Sequence, residues 1–292
     1  MEALDILQDN MNGILLINKP KGITSSDVVV KLRKILNTKK IGHTGTLDPL
    51  AQGLLVVTIG EATKISSILI EHNKEYIATF KLGIKTDTYD TEGKVLEKNI
   101  VPKDLDIEKM ILSFKGTYLQ EVPIYSAVKV NGKKLYEYAR NNIEVELPKR
   151  EVNIEEIEVL DISNDLVKIK CKVSKGTYIR SLINDIGIKL GCGATMTDLI
   201  RTKVDNFSID NSYTLEDVSN NNYKLINIEN CLDYPKIIVD KELEFKISNG
   251  VKLDNLFDIK DRVIFLNKDN KLLGIYEKDH NKLKPFRIFN IK

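Results

Sequence analysis

A loop near the amino terminus carries a carboxylate in a setting that suits covalent or general-base chemistry. An ionised Asp48 on such a loop can act as a nucleophile or as a base. Glycines let the surrounding backbone turn tightly or approach a ligand, and Pro49 restricts the geometry directly after the carboxylate. Taken alone, an aspartate before a proline is more often a turn residue. The loop reads Gly42-His43-Thr44-Gly45-Thr46-Leu47-Asp48-Pro49-Leu50-Ala51.

Other carboxylate chemistries are less well supported by the residue pattern. A phosphotransferase-type aspartate would normally have a second aspartate two residues on, where this chain has Leu50. A glycosidase needs a second carboxylate at a set distance, which a sequence does not reveal. Asp87 and Asp90 could form a magnesium site, but a polar hairpin turn closed by Gly93 is the favoured interpretation.

The segments around Asp48 are predicted to be short strands and helices that hold this loop. Gly13–Asn18 is predicted to be a buried strand, and Thr24–Asp27 resembles the capping box of a helix that ends near Leu36. Thr38–Ala51 lacks periodicity and is predicted to be a loop. Further predicted elements are a strand at Leu54–Ile59, a helix at Ala62–Ile70, a strand at Leu166–Val173 and a helix at Thr177–Leu190 ended by Gly191.

Two more patterns complete the prediction of an α+β fold. The residues from Glu75 to Leu82 alternate, which places Tyr76, Ala78, Phe80 and Leu82 on one face of a strand. The pair Asn131-Gly132 predicts a tight turn before a helix at Lys133–Arg140. Neither a strand–helix–strand array nor an internal repeat is evident in the sequence.

After Pro235 the sequence changes to short apolar-rich segments separated by polar turns, which predicts a second, smaller unit. Strands are predicted at Arg262–Leu266 and Lys271–Tyr276 around the hairpin turn Lys268-Asp269-Asn270, and another at Lys284–Phe289. We therefore expect a catalytic unit at residues 1–234, with a basic insertion at about 123–152, and a β-rich module at residues 235–292.

Bulk properties restrict the class of protein. The 292 residues carry a net charge of only +2, so nucleic-acid binding would have to depend on local basic clusters such as Lys129–Arg150. No apolar run reaches the ~18 residues of a membrane span, and the first residues lack a secretory signal. The three widely spaced cysteines predict neither zinc binding nor disulfides. We expect a cytoplasmic, metal-free protein.

Several segments, taken together and in order, resemble the TruB-type tRNA pseudouridine-55 synthases. The resemblance extends over residues 12 to about 208. It includes the Gly42 to Ala51 loop, Ile17-Asn18-Lys19-Pro20-Lys21-Gly22, Lys74-Glu75-Tyr76, Thr86-Asp87-Thr88-Tyr89-Asp90, Pro123-Ile124-Tyr125-Ser126-Ala127-Val128-Lys129, Tyr136-Glu137-Tyr138-Ala139-Arg140 and Gly176-Thr177-Tyr178-Ile179-Arg180.

The resemblance implies a role for each of seven residues. Asp48 matches the catalytic aspartate, and Arg180 matches the arginine that pairs with it. Tyr76 matches an aromatic residue that stacks on the flipped uracil and helps to remove its C5 proton. The remaining matches concern substrate binding: Tyr178 and Leu199 line the pocket, His43 contacts the reorganised RNA loop, and Lys19 lies in the first motif.

The resemblance also implies the fold, the reaction and the partner. The expected fold is that of the pseudouridine synthases, a central mixed, mainly antiparallel sheet, with a PUA-like β-rich module after it. The expected reaction converts uridine 55 of the tRNA T-loop to pseudouridine after base flipping, without a cofactor. The expected partner is tRNA, bound at the T-loop and T-stem by a monomer without a guide RNA.

Two alternatives and three departures stay open at this point. The alternatives are a guide-RNA-dependent synthase, against which the short carboxyl-terminal module argues, and an RNA chaperone without catalysis. The departures are Thr195 in place of a common histidine, Ile200 in place of the first arginine of a common pair whose second position is Arg201, and Asn206 in place of a common glycine.

Overall fold

The computed structural model describes residues 11–290, which form an α+β fold. The helices are α1 (Ser25–Ile35), α2 (Ser66–Leu69), α3 (Ile107–Leu112), α4 (Leu135–Arg140), α5 (Ile179–Lys189), α6 (Leu215–Ser219) and α7 (Lys241–Ser248), with 3₁₀ turns at Gly60–Ile65, Ile209–Asn211 and Ile228–Asn230. None of the helices in this part of the chain is long and apolar enough to cross a membrane.

The strands are numbered in chain order through residues 13–288. They are β1 (Gly13–Lys19), β2 (Ile41–His43), β3 (Gln52–Ile59), β4 (Lys74–Leu82), β5 (Ile84–Thr86), β6 (Val95–Lys98), β7 (Gly116–Glu121), β8 (Lys129–Val130), β9 (Lys133–Lys134), β10 (Lys149–Ser163), β11 (Leu166–Val173), β12 (Ala194–Val204), β13 (Phe207–Ser208), β14 (Lys236–Ile238), β15 (Leu253–Asp254), β16 (Arg262–Leu266), β17 (Leu272–Asp279) and β18 (Lys282–Ile288).

A nine-stranded sheet dominates the described residues, with the order β1-β3-β12-β4-β11-β10-β7 and with β2 and β13 beside β3 and β12. The pairing of β3 with β12 is parallel, and the other pairings of this sheet are antiparallel. The predicted mixed, mainly antiparallel sheet is therefore confirmed. At the parallel contact, Gly53 has a φ of 103°, and a side chain there would overlap the backbone of Arg201.

The alternation predicted for β4 is confirmed and explains how the sheet presents Tyr76. Tyr76, Ala78, Phe80 and Leu82 are all buried, while the residues between them are half-buried. Their side chains pack with the buried apolar face of α5, which covers this half of the sheet. Tyr76 stands opposite Cys171 on β11 and opposite Arg201 on β12, so the strand holds its position from both sides.

Helix α1 covers the other half of the sheet and begins as predicted. Thr24 accepts a hydrogen bond from the backbone N–H of Asp27, whose carboxylate accepts one from the backbone N–H of Thr24. This reciprocal capping satisfies two amides that the first helical turn leaves without partners. The buried residues Val28 and Leu32 then pack against the strands β1 and β3.

Two sequence-based predictions of local structure need correction, and one long strand was missed. The segment Thr38–Ala51 contains a short strand, β2, because Ile41 to His43 pair with the edge of β3. Ala62–Ile70 is a 3₁₀ turn followed by a single α-helical turn rather than one helix. The 15-residue strand β10 was not predicted, because its apolar and charged side chains do not alternate strictly. Its pairing with β7 and β11 becomes evident only in the folded structure.

A five-stranded sheet, in the order β14-β16-β17-β18-β15, follows in residues 236–288. The hairpin predicted around Lys268-Asp269-Asn270 joins β16 and β17, and Lys282–Ile288 supplies the next strand. One face of this sheet contributes Ile264 and Ile275 to a hydrophobic cluster shared with Leu16 and Val56 of the large sheet. The division at residue 234 stays a prediction.

The predicted basic insertion begins with a small hairpin. Strands β8 and β9 pair across Asn131 and Gly132, which have φ values of 50° and 82° and thus the left-handed backbone that such a turn requires. Helix α4 follows directly, so the predicted turn and helix are both present. The segment returns to the large sheet at Lys149, the first residue of β10.

Candidate active site

The loop between β2 and β3 is held in one place by contacts with three separate segments. The hydroxyl of Ser25, the first residue of α1, accepts from the backbone N–H of Leu47 (2.8 Å) and lies 3.2 Å from its carbonyl. The carbonyl of Pro49 accepts from the backbone N–H of Gly22 (2.8 Å). Arg201, which is 2% exposed, donates through Nη2 to the carbonyl of Gly45 (3.1 Å). The loop therefore presents Asp48 from a fixed backbone.

Asp48 and Arg180 form an ion pair although 132 positions separate them in the chain. Nε of Arg180 lies 3.0 Å from Oδ2 of Asp48, and the arginine side chain is 8% exposed while that of Asp48 is 40% exposed. The arginine is the second residue of α5, so the helix start aims it at the loop. The carboxylate is thus paired on one side and accessible on the other, so it is held in place and can still be approached from the cavity.

Both terminal nitrogens of Arg180 also have partners. Nη2 donates to the carbonyl of Tyr125 (3.0 Å), and Nη1 donates to the carbonyl of Thr88 (3.2 Å). Oδ2 of Asp90 lies 3.6 Å from Nη1. Because a guanidinium is planar and its donors point in fixed directions, these contacts fix the plane that faces Asp48.

The sequence-based reasoning missed the position of Asp90. The hairpin interpretation of this segment is confirmed by the pairing of β5 with β6, and a side chain on Gly93 would overlap Asp87 and Thr88. Yet Asp90 is 4% exposed, accepts from the hydroxyl of Thr88 (2.6 Å), and faces Arg180. No sequence pattern reveals this contact; only its place in the motif beside Thr86-Asp87-Thr88 could have suggested it.

A cavity of about 380 Å³ opens beside the ion pair. Five of the seven residues predicted for the site, Asp48, Tyr76, Tyr178, Arg180 and Leu199, contribute to its lining. Its size falls in the range of pockets that bind small organic groups. The other lining residues are Thr46, Leu47, Tyr125, Ser126, Ala127, Tyr136, Thr177 and Ile179.

A buried glutamine holds the backbone of Tyr178 at both of its polar groups. Oε1 of Gln120 accepts from the N–H of Tyr178 (2.8 Å), and Nε2 donates to its carbonyl (3.1 Å). Gln120 is 1% exposed and also donates to the hydroxyl of Tyr118 (2.7 Å). Because Tyr178 precedes the first turn of α5, this clamp also positions the helix start that carries Arg180.

Lys19 and His43 lie outside the cavity lining. Lys19 is fully buried, and its ammonium donates to the carbonyls of Ile23 (2.7 Å) and Pro20 (3.0 Å). Burial lowers the pKa of Lys19, and the nearby negative charge of Asp48 opposes this effect. In this placement the ammonium binds backbone carbonyls of its own loop, and the predicted substrate contact of Lys19 stays a prediction.

His43 ends the strand β2, one residue before the loop that carries Asp48. Burial lowers the pKa of His43, and the charge of Arg201 acts in the same direction, so the imidazole is predominantly neutral at pH 7. Within the described residues its buried Nδ1 atom has no hydrogen-bond partner. The predicted RNA contact of His43 stays a prediction.

Residues that could support metal or thiol chemistry do not converge on this site. Within residues 11–290 no group of three or more His, Cys, Asp or Glu side chains is arranged to hold a metal ion. Cys171 and Cys192 are buried, and burial raises the pKa of Cys171 to about 12, so its nucleophilic thiolate form is scarce.

Comparisons with known proteins identify the family and agree with the fold. Residues 33–179 match the family described as TruB family pseudouridylate synthase (N terminal domain). Residues 180–234 match the tRNA pseudouridylate synthase B C-terminal domain. The chain therefore belongs to the TruB family of pseudouridylate synthases, which are isomerases. The family and enzyme class predicted from the sequence are confirmed.

Relatives and a solved structure extend this similarity over nearly the whole chain. The chain is 47% identical over 275 residues to tRNA pseudouridine synthase B of Clostridium tetani, covering 92% of this chain and 93% of the relative. It is 48% identical over 289 residues to the protein of that name from Fusobacterium nucleatum, covering 96% and 100%. A chain in the structure of an H/ACA RNP bound to a substrate RNA containing 2′-deoxyuridine has the same fold, with a TM-score of 0.72 at 24% identity, covering 98% of this chain and 87% of that one.

Proposed function

We propose that this protein converts a uridine in the T-loop of tRNA, uridine 55, to pseudouridine, with Asp48 as the essential carboxylate. The observation that carries the proposal is the Asp48–Arg180 ion pair at the wall of a cavity that also contains Tyr76. The cation favours the ionised form of the carboxylate, the carboxylate can react with the nucleoside, and the aromatic side chain can stack on the base. We include in the proposal the roles of Asp48, Arg180 and Tyr76 in this reaction.

The reaction exchanges one bond to the ribose for another. The bond from C1′ to N1 of uracil breaks, the base turns, and a bond from C1′ to C5 forms. N1 gains a proton and C5 loses one, so neither an oxidant nor an energy source is needed. Attack of Asp48 on C1′, attack on C6, and removal of a ribose proton are three routes open to this carboxylate, and each requires its ionised form.

The target base must leave the RNA stack before Asp48 reaches it. Extruding a base costs a few kcal/mol, and stacking on an aromatic side chain returns about 1–3 kcal/mol. We assign this stacking to Tyr76, which lines the cavity on the sheet side. Leu199 and Tyr178 complete the walls around the detached base, and His43 contacts the RNA loop outside the cavity.

Binding of tRNA is assigned mainly to the insertion at about residues 123–152. The ring of Tyr136 lines the cavity, and the cations of Lys134 and Arg140 each lie 5.3 Å from its centre. Positive groups at the cavity rim suit the phosphates on either side of a flipped nucleotide. We further propose that residues 235–292 are a PUA-like module that extends the RNA contact toward the acceptor end.

Tritium release provides a direct test. Purified protein is expected to release tritium from C5-labelled uridine in an unmodified tRNA transcript, without added metal, nucleotide or second protein. Asp48→Asn is expected to abolish release while tRNA affinity stays within about threefold, because phosphate and stacking contacts remain. Asp165→Asn is the matched control: Asp165 is also 40% exposed and paired, with Lys81 at 3.1 Å, but lies on the β10–β11 turn.

The outcomes separate the competing functions. Binding of tRNA without release by the wild-type protein would leave the RNA chaperone as the better proposal. Release that appears only after a second RNA and partner proteins are added would favour a guide-dependent synthase. Equal activity of Asp48→Asn and the wild-type protein would contradict the assigned chemistry while leaving the family membership intact.

A further inference from the structure

The side chain of Ser126 is a buried hydroxyl with no hydrogen-bond partner within residues 11–290, and it lines the cavity beside Asp48. The other buried side-chain atoms in this condition belong to His43, His72 and Arg262, all outside the cavity lining. Most buried hydroxyls have a hydrogen-bond partner, because a hydroxyl without one loses its hydrogen bonds to water on burial and gains none in return. An exception at a binding cavity points to a partner supplied by the ligand.

The backbone around Ser126 is fixed on both sides, so the hydroxyl is not a mobile surface group. The carbonyl of the preceding residue, Tyr125, accepts from Nη2 of Arg180 (3.0 Å). The carbonyl of Ser126 itself accepts from the N–H of Tyr136 in α4 (3.1 Å). The backbone at Ser126 thus connects the arginine that pairs with Asp48 to the first turn of the insertion helix, and it holds Ser126 in the cavity wall.

Ser126 is much less exposed than Asp48, although both line the cavity. It is 7% exposed, whereas the side chain of Asp48 is 40% exposed. A nucleotide that remains attached to its RNA enters base first, with the ribose and phosphates toward solvent. We therefore expect the ribose to meet Asp48 and the far edge of the base to meet Ser126.

We infer that the hydroxyl of Ser126 forms a hydrogen bond with the polar edge of the flipped uracil and helps to select this base. That edge presents two carbonyl oxygens and one N–H, which lose water when the base enters the cavity. A serine hydroxyl both donates and accepts, so it can pair with any of the three. The inference rests on the proposed function, and it adds a base-reading group to the site.

The first test compares two buried serines. Ser126→Ala is expected to lower kcat/KM for tritium release about tenfold, and to leave the melting temperature unchanged or slightly higher, because the hydroxyl has no partner in the free protein. Ser181→Ala is the control: Ser181 is 2% exposed and its hydroxyl donates to the carbonyl of Glu121 (2.8 Å). That variant is expected to melt lower and keep kcat/KM near the wild-type value.

The second test identifies the group that Ser126 contacts. tRNA is assembled from synthetic fragments that carry uridine, 2-thiouridine, 4-thiouridine, 3-methyluridine or 2′-deoxyuridine at the target position. Dissociation constants are measured in the Asp48→Asn background with and without Ser126→Ala. If Ser126 contacts the base, one of the three base changes (2-thio, 4-thio or 3-methyl) loses most of its effect on the dissociation constant in the Ser126→Ala variant. The effect of the 2′-deoxy change on the dissociation constant is then the same with and without Ser126→Ala.

Three results would overturn the inference, and each is distinct from failure of the proposed function. Wild-type kcat/KM in Ser126→Ala would remove the hydroxyl from substrate binding. A melting temperature lowered as in Ser181→Ala would assign the hydroxyl to the fold. If Ser126→Ala altered only the effect of the 2′-deoxy change on the dissociation constant, the hydroxyl of Ser126 would contact the ribose and not the base. Failure of the proposed function would instead show as a wild-type protein that releases no tritium.

Discussion

Oδ2 of Asp90 lies 3.6 Å from Nη1 of Arg180, while Nε of the same guanidinium lies 3.0 Å from Asp48. One arginine thus connects a buried carboxylate with a more accessible one. The buried member, Asp90, also accepts from the backbone N–H of Glu92 (3.0 Å), which fixes its orientation. Asp90 thus helps to orient the guanidinium plane of Arg180 from a buried position outside the cavity lining.

Asp90→Asn is therefore expected to impair turnover more than binding. The asparagine keeps the shape but loses the charge opposite Nη1, so the guanidinium is less firmly oriented toward Asp48. Small misplacements of catalytic groups can reduce rates by about 100-fold, and we expect kcat to fall at least about tenfold with the tRNA dissociation constant within about twofold.

A matched control for this change lies in the same turn. Asp87 accepts from the backbone N–H of Lys94 (2.7 Å), which the side-chain oxygen of an asparagine can also do. Asp87→Asn is expected to retain activity. Equal losses of kcat in the two variants would show that the turn, and not the contact with Arg180, is what matters.

Arg180→Lys tests whether charge alone is sufficient at this position. A lysine supplies a point charge, whereas Arg180 uses separate N–H groups for Asp48, Tyr125 and Thr88. Because the planar fork is lost, we expect kcat to fall by about 100-fold while tRNA affinity changes little. Single-turnover kinetics with enzyme in excess would measure this, and an unchanged rate constant would reduce Arg180 to a counter-charge.

Two variants of Tyr76 can separate a role of its ring in stacking from a role of its hydroxyl in proton transfer. The ring is 8% exposed and belongs to the buried face of β4. Tyr76→Leu is expected to weaken tRNA binding by roughly 5–150-fold if stacking supplies 1–3 kcal/mol. Tyr76→Phe keeps the ring, so a loss in kcat alone would assign the hydroxyl to removal of the C5 proton. Full activity of the phenylalanine variant would leave stacking as its only role.

Much of this site could be predicted from the sequence, but for two different reasons. The position of Tyr76 follows from alternation, since only its face of β4 is buried. Asp48 and Arg180 carry no such local pattern, and they were selected through the resemblance of ordered motifs. Their contact depends on how α5 packs against the sheet, which local sequence rules do not specify.

For other residues the structure shows contacts that depend on long-range packing and that the sequence did not reveal. Lys19, predicted to bind the substrate, is fully buried and bound to carbonyls. Arg201, which follows the departure at Ile200, donates to the carbonyls of Leu54 and Gly45 and supports the loop that carries Asp48. Thr195, one of the departures, is satisfied by the carbonyl of Ile84 (2.9 Å), outside the cavity lining.

The stability of the folded protein is expected to depend on pH through Asp185. Burial raises the pKa of Asp185 to about 6; the hydroxyl of Tyr118, which donates to it (3.2 Å), opposes this effect, and the charge of Glu121 adds to it. Because the folded state binds this proton more tightly than the unfolded chain, the contribution of Asp185 to stability increases as the pH falls below about 6. At pH 7.5 the folded protein instead contains a partly buried carboxylate.

Asp185→Asn removes the ionisation and nearly preserves the shape, so it isolates this effect. We expect the variant to melt above the wild-type protein at pH 7.5, and the difference to shrink as the pH is lowered to 5. Thermal melts at both pH values measure it, with the exposed Asp165→Asn as a control whose difference from wild type stays constant. A difference for Asp185→Asn that is independent of pH would show that the carboxyl group is solvated, and that the Tyr118–Gln120 chain leading to Tyr178 ends in an ordinary surface acid.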